Sequence, residues 1–242
     1  MGMKIDIVGC GRVTADERVA MYAVFARYYE NLDRARFDQD LDTKDWVIQL
    51  RDNDGSIVGF STVEQYRHDG AAGAAVILYS GDTIVDRAHR KCGDLAGAFG
   101  HLLLRAVAES GDLPVYWLLT SKGVRTYRFL PVFFKTFFPR HDQDPPVAFK
   151  RLLDEVATRK FGRNYSPATQ VIHQCGQRDW LCAEEHDPLL LKRSDAHIRF
   201  FLQQNPGYIK GDELACMAQM SEENLNTRAL RVIRNREVTW RE

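Results

Sequence analysis

A basic loop at residues 87–93 is the clearest candidate for binding an anion. The loop ends at Gly93, and an apolar, helix-like pattern begins at Asp94. Its basic side chains are Arg87, His89, Arg90 and Lys91. A helix start presents unpaired N–H groups and a positive dipole end, and Gly93 allows the backbone to approach a phosphate closely. The loop therefore predicts a phosphate site, with a solvated basic turn as the alternative.

A second chemical signal is an acidic residue inside a strand that is otherwise apolar. Residues 74–85 form a long apolar run that is interrupted by Gly81 and Asp82. A glycine in such a strand marks a bulge or a close backbone approach, and a buried carboxylate is costly unless it is paired or functional. Asp82 is therefore the favoured general base, with Glu64 and His89 as further candidates. A structural carboxylate that holds the bulge is the other interpretation of Asp82.

The elements that position these residues follow from the apolar periodicity. Residues 4–9 alternate as a short strand, and Thr14 with Glu17 forms a capping box that opens a helix reaching Tyr28-Tyr29. Residues 31–43 are polar and predict a connection with at most one short helix.

A hairpin and two buried strands form the predicted centre of the chain. The hairpin joins residues 45–51 to residues 56–66 through the turn Asn53-Asp54-Gly55, and the strand at 74–85 follows it. A helix at 94–108 contains small residues that predict close packing on a sheet, and residues 115–120 form the next buried strand.

The second half of the chain carries weaker signals. Residues 124–137 predict an aromatic helix that contains Pro131. The Asp-Pro-Pro run that ends at Pro146 is the best candidate domain boundary. Beyond it we predict helices at 147–160 and 194–204, and a strand at 213–220.

This order of elements resembles the GNAT superfamily of N-acyltransferases over residues 45–138. The resemblance rests on the strand that ends at Ile84-Val85, on the loop after it and on the packed helix that follows. The loop is similar to the superfamily's pyrophosphate loop. That loop has the pattern Arg/Gln-x-x-Gly-x-Gly/Ala, in which x is any residue. Its residues are Arg90, Lys91, Cys92, Gly93, Asp94 and Leu95. Arg90 and Gly93 fit this pattern, whereas Leu95 replaces the usual Gly or Ala.

The resemblance implies a fold of the α/β (α+β) class. Its centre is a mixed, mostly antiparallel sheet with a splayed central strand pair, flanked by helices. Residues 1–142 would form this acyl-thioester-binding domain. Residues 143–242 would form a C-terminal extension that packs on the domain, shapes the acceptor side and could serve there as a lid.

The resemblance also implies a reaction, the transfer of an acetyl or longer acyl group to an amine. The donor would be a coenzyme A thioester, with the pantetheine of an acyl carrier protein as an alternative, and the acceptor a small-molecule or peptide amine. The pantetheine would lie in the splay, against Tyr79, Ser80, Gly81, Thr83, Ile84 and Val85, while the loop residues bind the pyrophosphate.

The same resemblance assigns the proton transfers. Asp82 or Glu64 would take the proton of the amine, and Tyr127 stands where the superfamily often places the acid that protonates the thiolate. Packing of the Tyr127 ring is the alternative. We expect the neighbouring phenylalanines to lie in the hydrophobic core or to form the walls of an acyl tunnel. They are Phe129, Phe133, Phe134, Phe137 and Phe138.

Composition sets the class of protein. The 242 residues include 33 Lys and Arg against 33 Asp and Glu, which gives no reason to expect nucleic acid or anionic lipid as a partner. The five cysteines are scattered without a C-x-x-C motif, which favours a reducing compartment. No signal peptide or membrane-spanning apolar run stands out, so the expected location is the cytoplasm.

Three alternatives stay open at this point. A degenerate GNAT-like protein could bind an acyl-thioester or a partner without turnover, as the Leu95 departure suggests. The segment Ile7–Thr14 imitates a dinucleotide fingerprint of an NAD-dependent oxidoreductase, but Thr14 replaces the third glycine. His173, Cys175, Cys182 and His186 are zinc-ligand types at a spacing that fits no common zinc site, and we assign no metal.

Overall fold

The computed structural model describes residues 3–90, 93–174, 178–186 and 195–242. The strands are β1 (Lys4–Gly9), β2 (Tyr29–Glu30), β3 (Trp46–Arg51), β4 (Ile57–Gly70), β5 (Gly73–Val85), β6 (Val115–Ser121), β7 (Tyr165–Ser166), β8 (Val171–Ile172), β9 (Trp180–Leu181), β10 (Glu213–Met220) and β11 (Thr239–Arg241). The α-helices are α1 (Ala15–Phe25), α2 (Arg34–Asp42), α3 (Asp94–Glu109), α4 (Val124–Tyr127), α5 (Phe129–Phe133), α6 (Val147–Phe161), α7 (Ala196–Gln204) and α8 (Thr227–Arg234).

The main sheet has the order β11-β1-β3-β4-β5-β6-β10-β8-β7, and a short separate sheet pairs β2 with β9. Within the main sheet, β1 lies parallel to β11 and β5 lies parallel to β6, while the other neighbours are antiparallel. A parallel pair needs a crossover, and α3 provides it between β5 and β6. The predicted fold class, a mixed and mostly antiparallel sheet flanked by helices, is confirmed.

The central parallel pair separates at Gly81. Strands β5 and β6 pair from Val76 opposite Val115 to Ser80 opposite Leu119, and β6 then continues only along β10. On its other side, β5 shifts register against β4, because Ser61 faces Thr83 while Val63 faces Ser80. The extra residue on β5 forms a bulge at Gly81 and Asp82, which bends the strand away from β6. The predicted splay of the central pair is therefore present.

The first helix begins as its sequence predicts. The backbone N–H of Glu17 donates to Thr14 Oγ1 at 3.2 Å, and the N–H of Thr14 donates to Glu17 Oε2 at 2.9 Å. This capping box satisfies two N–H groups that the helix start leaves without acceptors. Helix α1 ends at Phe25, earlier than predicted, and Tyr29 belongs to β2.

Two of the glycines in α3 pack against α8 and the residues after it, and not against the sheet as predicted. A side chain at Gly97 would collide with Arg236, and a side chain at Gly100 would collide with Ile233. These glycines therefore allow α8, rather than the sheet, to approach α3 closely. Ala98, by contrast, is fully buried in the core on the sheet side.

The aromatic segment after β6 does not form the single helix that we predicted over 124–137. It forms the two short helices α4 and α5, and the backbone is extended at Phe134. Pro131 lies in the first turn of α5, where its missing N–H costs no hydrogen bond, but it could not continue a helix from α4. Phe134 and Phe138 then make isolated β-bridges to Leu225 and Met217.

The C-terminal part of the chain completes the main sheet. Strand β10 lies between β6 and β8, and β11 lies beside β1 at the opposite edge. Residues 143–242, which we predicted to pack on the domain as an extension, thus contribute strands to the same sheet. None of the helices in the described parts of the chain combines the length and the apolar character that crossing a bilayer requires.

Candidate active site

A cavity of about 280 Å³ opens where β5 and β6 separate, on the side of α3. One wall is the edge of β5 from Thr83 to Val85, which has lost its β6 partner. The facing wall comes from Gly123 and Thr126 at the start of α4, and the floor includes Gly93. The cleft therefore presents both an unpaired strand edge and a helix start.

The start of α3 carries open hydrogen-bond donors. Gly93 adopts a left-handed conformation with φ of +65°, and no side chain of the described residues caps the helix there. The N–H groups of the first turn, from Asp94 to Ala96, therefore lack intrahelical acceptors. Leu95, the departure from the family pattern, is buried and lines the cavity. Lys91 and Cys92 lie outside the described residues.

Arg90 is held in place at the cavity by two hydrogen bonds that leave its Nη2 nitrogen unengaged by described residues. Its Nε donates to the carbonyl of Val85 at 2.7 Å, and its Nη1 donates to Glu185 Oε2 at 2.6 Å. Its Nη2 is buried and has no hydrogen-bond partner among the residues that the structure describes. The guanidinium also stacks over the ring of Tyr28, 4.7 Å from its centroid. This fixed, partly unsatisfied cation is suited to binding an anion.

Glu185 is a site residue that the sequence did not reveal. Its carboxylate is only 3% exposed and also accepts from Arg87 Nη2 at 2.7 Å, so it joins the two arginines of the loop. Burial alone would raise the pKa of Glu185, but the bonds from Arg87 and Arg90 lower it overall. No local pattern marks Glu185, because its partners lie more than 90 positions away in the chain.

A second cavity, of about 80 Å³, lies on the opposite face of the sheet and is lined by charged groups. It shares Tyr29, Thr83 and Thr126 with the first cavity, so the two cavities meet in the splay. The ionisable residues at its wall are Tyr29, Asp33, Arg36, Asp40, Tyr79, Asp82, Lys122, Arg178, Asp179 and Glu213. Its walls come from both halves of the chain.

Asp82 faces this second cavity from the bulge of β5. Burial raises the pKa of Asp82 to about 7; nearby Lys122 lowers it, while Asp179 and Asp40 raise it. No hydrogen bond or ion pair to another described residue engages its carboxyl group. Near neutral pH this group is therefore divided between its base and acid forms, as a general base should be.

Lys122 is the second residue that the sequence did not reveal. It forms an ion pair with Asp179 and lies 3.8 Å from Glu213. Burial alone would lower the pKa of Lys122, but Glu213 and Asp179 raise it overall, so the ammonium stays charged. It follows β6 directly, at the point where that strand leaves the splay.

The predicted pantetheine wall is divided among three cavities. Thr83, Ile84 and Val85 line the 280 Å³ cavity, whereas Tyr79 and Gly81 line the charged cavity on the other face. Ser80 lines a third, apolar cavity. Two ammonium groups lie near the ring of Tyr79, with Lys160 Nζ 4.1 Å and Lys44 Nζ 5.5 Å from its centroid.

Two predicted catalytic residues are not brought to the splay. Glu64 lies on β4, and its carboxylate pairs with Lys160 Nζ at 2.5 Å. Tyr127 is fully buried, and its hydroxyl donates to the carbonyl of Pro139 at 3.1 Å. Burial also raises the pKa of Tyr127, which makes it a poor proton donor and favours the alternative of ring packing.

Within the described ranges, the other sequence signals do not assemble into sites. Strand β3, the next full strand after Gly9 and Gly11, is antiparallel to β1, so this turn does not open the parallel unit of a dinucleotide fold. His173 Nδ1 lies 3.0 Å from Asp212 Oδ2, and Cys175 is outside the described residues. Among the residues that the structure does describe, no group of three metal-ligand types comes together.

Comparisons with known proteins find likeness only at the level of structure. No protein-family model matches the chain, and no curated protein is similar to it in sequence. A ribosomal-protein-alanine N-acetyltransferase from Brucella melitensis is 15% identical over 60% of this chain and 97% of its own, with a TM-score of 0.42. A GNAT family N-acetyltransferase from Escherichia coli, solved with CoA, is 15% identical over 56% and 71%, with a TM-score of 0.39.

A probable N-acyltransferase from Enterococcus faecalis is 12% identical, with a TM-score of 0.42. The match covers 57% of this chain but only 33% of that longer one. The likeness is therefore partial in every case. The strand order of the main sheet, the crossover through α3 and the splay at Gly81 are features of this molecule itself, and they agree with the mixed, splayed sheet that we predicted from the sequence.

Proposed function

We propose that this protein is an N-acyltransferase that moves an acyl group from a coenzyme A thioester to an amine. One observation carries the proposal: cavities on the two faces of the sheet meet in the splay, and the groups around them differ in kind. The α3 side offers donors for an anion, and the opposite side offers a carboxyl group whose pKa is about 7.

The α3 side fits coenzyme A through three features of the chain. The uncapped N–H groups after Gly93 and the unpartnered Nη2 of Arg90 would bind the pyrophosphate. The unpaired edge of β5 from Thr83 to Val85 would bind the amide groups of the pantetheine arm, as a strand edge binds an extended chain. No feature of the described residues points to a carrier protein as the donor.

The charged side fits the amine. Asp82 accepts a proton from the ammonium form, and the nitrogen then bonds to the carbonyl carbon of the thioester while the C–S bond breaks. The nitrogen loses a second proton on forming the amide, which balances the departing thiolate, so that the products are an amide and the thiol of coenzyme A. Holding thioester and amine together in the splay supplies much of the rate enhancement.

The proposal is tested by measuring thiol release from acyl-coenzyme A in the presence of a panel of small-molecule and peptide amines. We expect coenzyme A to bind in calorimetry and at least one amine to release free thiol. Arg90→Ala should weaken the binding of coenzyme A, while Arg163→Ala, at an exposed arginine outside the three cavities, serves as its control. Absence of coenzyme A binding would refute the proposal.

A second candidate function is a binder of acyl-thioesters without turnover. Two observations favour it. Glu185 already accepts hydrogen bonds from the guanidinium groups of Arg87 and Arg90, and the hydroxyl of Tyr127 does not reach the splay to act as an acid. The same experiments separate the two functions. Tight binding of coenzyme A without thiol release from any combination of donor and amine would support the binder.

A further inference from the structure

A third cavity, of about 50 Å³, lies at the closed end of the splay. Ser80 and Leu119, the last pair of β5 and β6, form part of its wall together with Trp117. Helices α3, α5 and α8 line the remaining sides. A ligand that enters between β5 and β6 must stop or turn where the two strands begin to pair, and the third cavity lies at this point.

This third cavity adjoins the proposed coenzyme A cleft. The residues that line both are Thr83, Leu95, Ala96, Thr126 and Phe129. A thioester whose pantetheine arm lies along Thr83–Val85 would carry its acyl group toward these shared walls. We infer that the third cavity is an acyl subsite, an assignment that rests on the proposed function.

The chemistry of the walls selects an apolar group. The lining surface is almost entirely apolar, and its large side chains are Phe99, Leu103, Phe129, Phe133, Phe134, Leu225 and Ile233. Three hydroxyl groups at the rim already take part in hydrogen bonds: Ser80 Oγ accepts from Trp117 Nε1 at 3.0 Å, and Ser61 Oγ lies 2.7 Å from Thr83 Oγ1. A polar or charged acyl group would find few partners on this apolar wall and would lose its hydration.

The size of the cavity sets the length of the acyl group. A volume of about 50 Å³ accommodates roughly three to five groups of the size of a water molecule or a methylene. Acetyl would leave most of this space empty, whereas a chain of twelve or more carbons would extend beyond it. The structure thus assigns a preference for apolar acyl groups of about four to six carbons.

The expected preference can be measured as a ratio of affinities. Each methylene that moves from water into the cavity should improve binding about fourfold, so hexanoyl-coenzyme A should bind more than tenfold more tightly than acetyl-coenzyme A. Calorimetric titration with coenzyme A and with its acetyl, butyryl, hexanoyl and dodecanoyl thioesters tests this. Affinity should rise through hexanoyl and fall by dodecanoyl.

Two opposite substitutions of the wall sharpen the test. Ala229 is 3% exposed and lines the cavity from α8, so Ala229→Leu fills the space and should lower the ratio of hexanoyl to acetyl binding at least fivefold. Phe133→Ala enlarges the cavity and should move the optimum to longer chains. Phe149→Ala is the matched control, because this half-buried ring lies on α6, outside the three cavities.

The outcomes distinguish this inference from the proposed function. If coenzyme A binds but all its thioesters bind equally, or if neither wall substitution changes the ratio, the acyl subsite is refuted and the coenzyme A site stands. If coenzyme A does not bind, both fail. Circular dichroism and thermal melting of each variant show that it is folded, and Ala229→Val replaces Ala229→Leu if the larger side chain prevents folding.

Discussion

Single side chains set the chemistry of the splay, and Asp82 has the environment most suited to proton transfer. A bulge aims it into a half-buried, charged cavity rather than into the core. Its pKa of about 7 reflects burial first, and the opposing effects of Lys122 and Asp179 after it. A carboxyl group with an ordinary pKa would be a much weaker base toward an ammonium.

The first prediction concerns the pH dependence of acyl transfer. Because Asp82 must be ionised to accept a proton, kcat/KM should rise with pH and level off above about 7. Asp82→Asn should lower kcat by about 10²- to 10⁴-fold and remove this rise. Glu64→Gln and His89→Gln are the comparisons, because each removes a rival candidate base. Loss of the rise in either of these variants, with Asp82→Asn active, would reassign the base.

The second prediction concerns Glu185 and stability. Its pKa is lowered in the folded protein, so its contribution is present above the unfolded pKa of about 4.3 and is lost as the pH falls through the folded value. Glu185→Gln should reduce the free energy of unfolding at pH 7 by about 1–2 kcal/mol, since it weakens two charged hydrogen bonds. Urea unfolding measures this.

The same titration supplies the control for Glu185. Glu184→Gln, at the exposed neighbouring carboxylate, should change stability little at any pH. The difference between Glu185→Gln and the unaltered protein should shrink toward pH 4. A difference that stays constant between pH 7 and pH 4 would show that the ion pairs are not its origin.

Secondary-structure elements explain why the splay exists at all. Strand β5 pairs with β4 along its whole length. Its pairing with β6 ends at Ser80, because the bulge turns the rest of β5 away from β6. Gly81 sits at that turn with Thr62 and Lys44 packed against it. The bulge therefore separates the 280 Å³ cavity on the side of α3 from the charged cavity on the opposite face.

The third prediction tests the bulge. A methyl group at position 81 would lie 2.6 Å from Thr62 Oγ1 and 3.1 Å from Lys44 Cε, so Gly81→Ala must displace buried neighbours. We expect it to cost about 1–3 kcal/mol in chemical unfolding and to weaken coenzyme A binding. Gly11→Ala has no heavy atom of another residue near the added methyl and should be nearly neutral. Equal effects of the two substitutions would argue against a close-packed bulge.

The whole molecule depends on its C-terminal part for the sheet. Strand β10 pairs with β6 from Leu214 opposite Ser121 to Met220 opposite Val115. Helix α8 covers α3, and Arg236 forms an ion pair with Asp94 at the start of α3. Asp179 and Glu213, which line the charged cavity, also belong to this part of the chain.

The fourth prediction follows from this shared sheet. A protein of residues 1–142 should fail to fold cooperatively, because β6 would lose its β10 partner and α3 would expose apolar surface. A protein of residues 1–235 loses β11 and the contacts of Arg236 with α3, but it keeps β10 and α8 and should still fold, with lower stability. Dispersed NMR spectra and a sharp thermal transition from residues 1–142 alone would contradict the prediction.

The residues that the sequence predicts well are those with a local signature. The Thr14 capping box, the strand with Gly81 and Asp82, and the glycine before α3 each follow from neighbours in the chain. Glu185 and Lys122 did not follow, because each acquires its role from partners more than 50 positions away. The ring of Tyr127 could not be placed, since position along the chain does not say which side of a helix faces the core.

The meeting of the two cavities at Thr83 and Thr126 has a consequence for the order of events in catalysis. Entrances on opposite faces let both substrates be present at once, so neither has to depart before the other arrives. Double-reciprocal plots of initial rate should therefore intersect, whereas parallel lines would reveal a covalent relay.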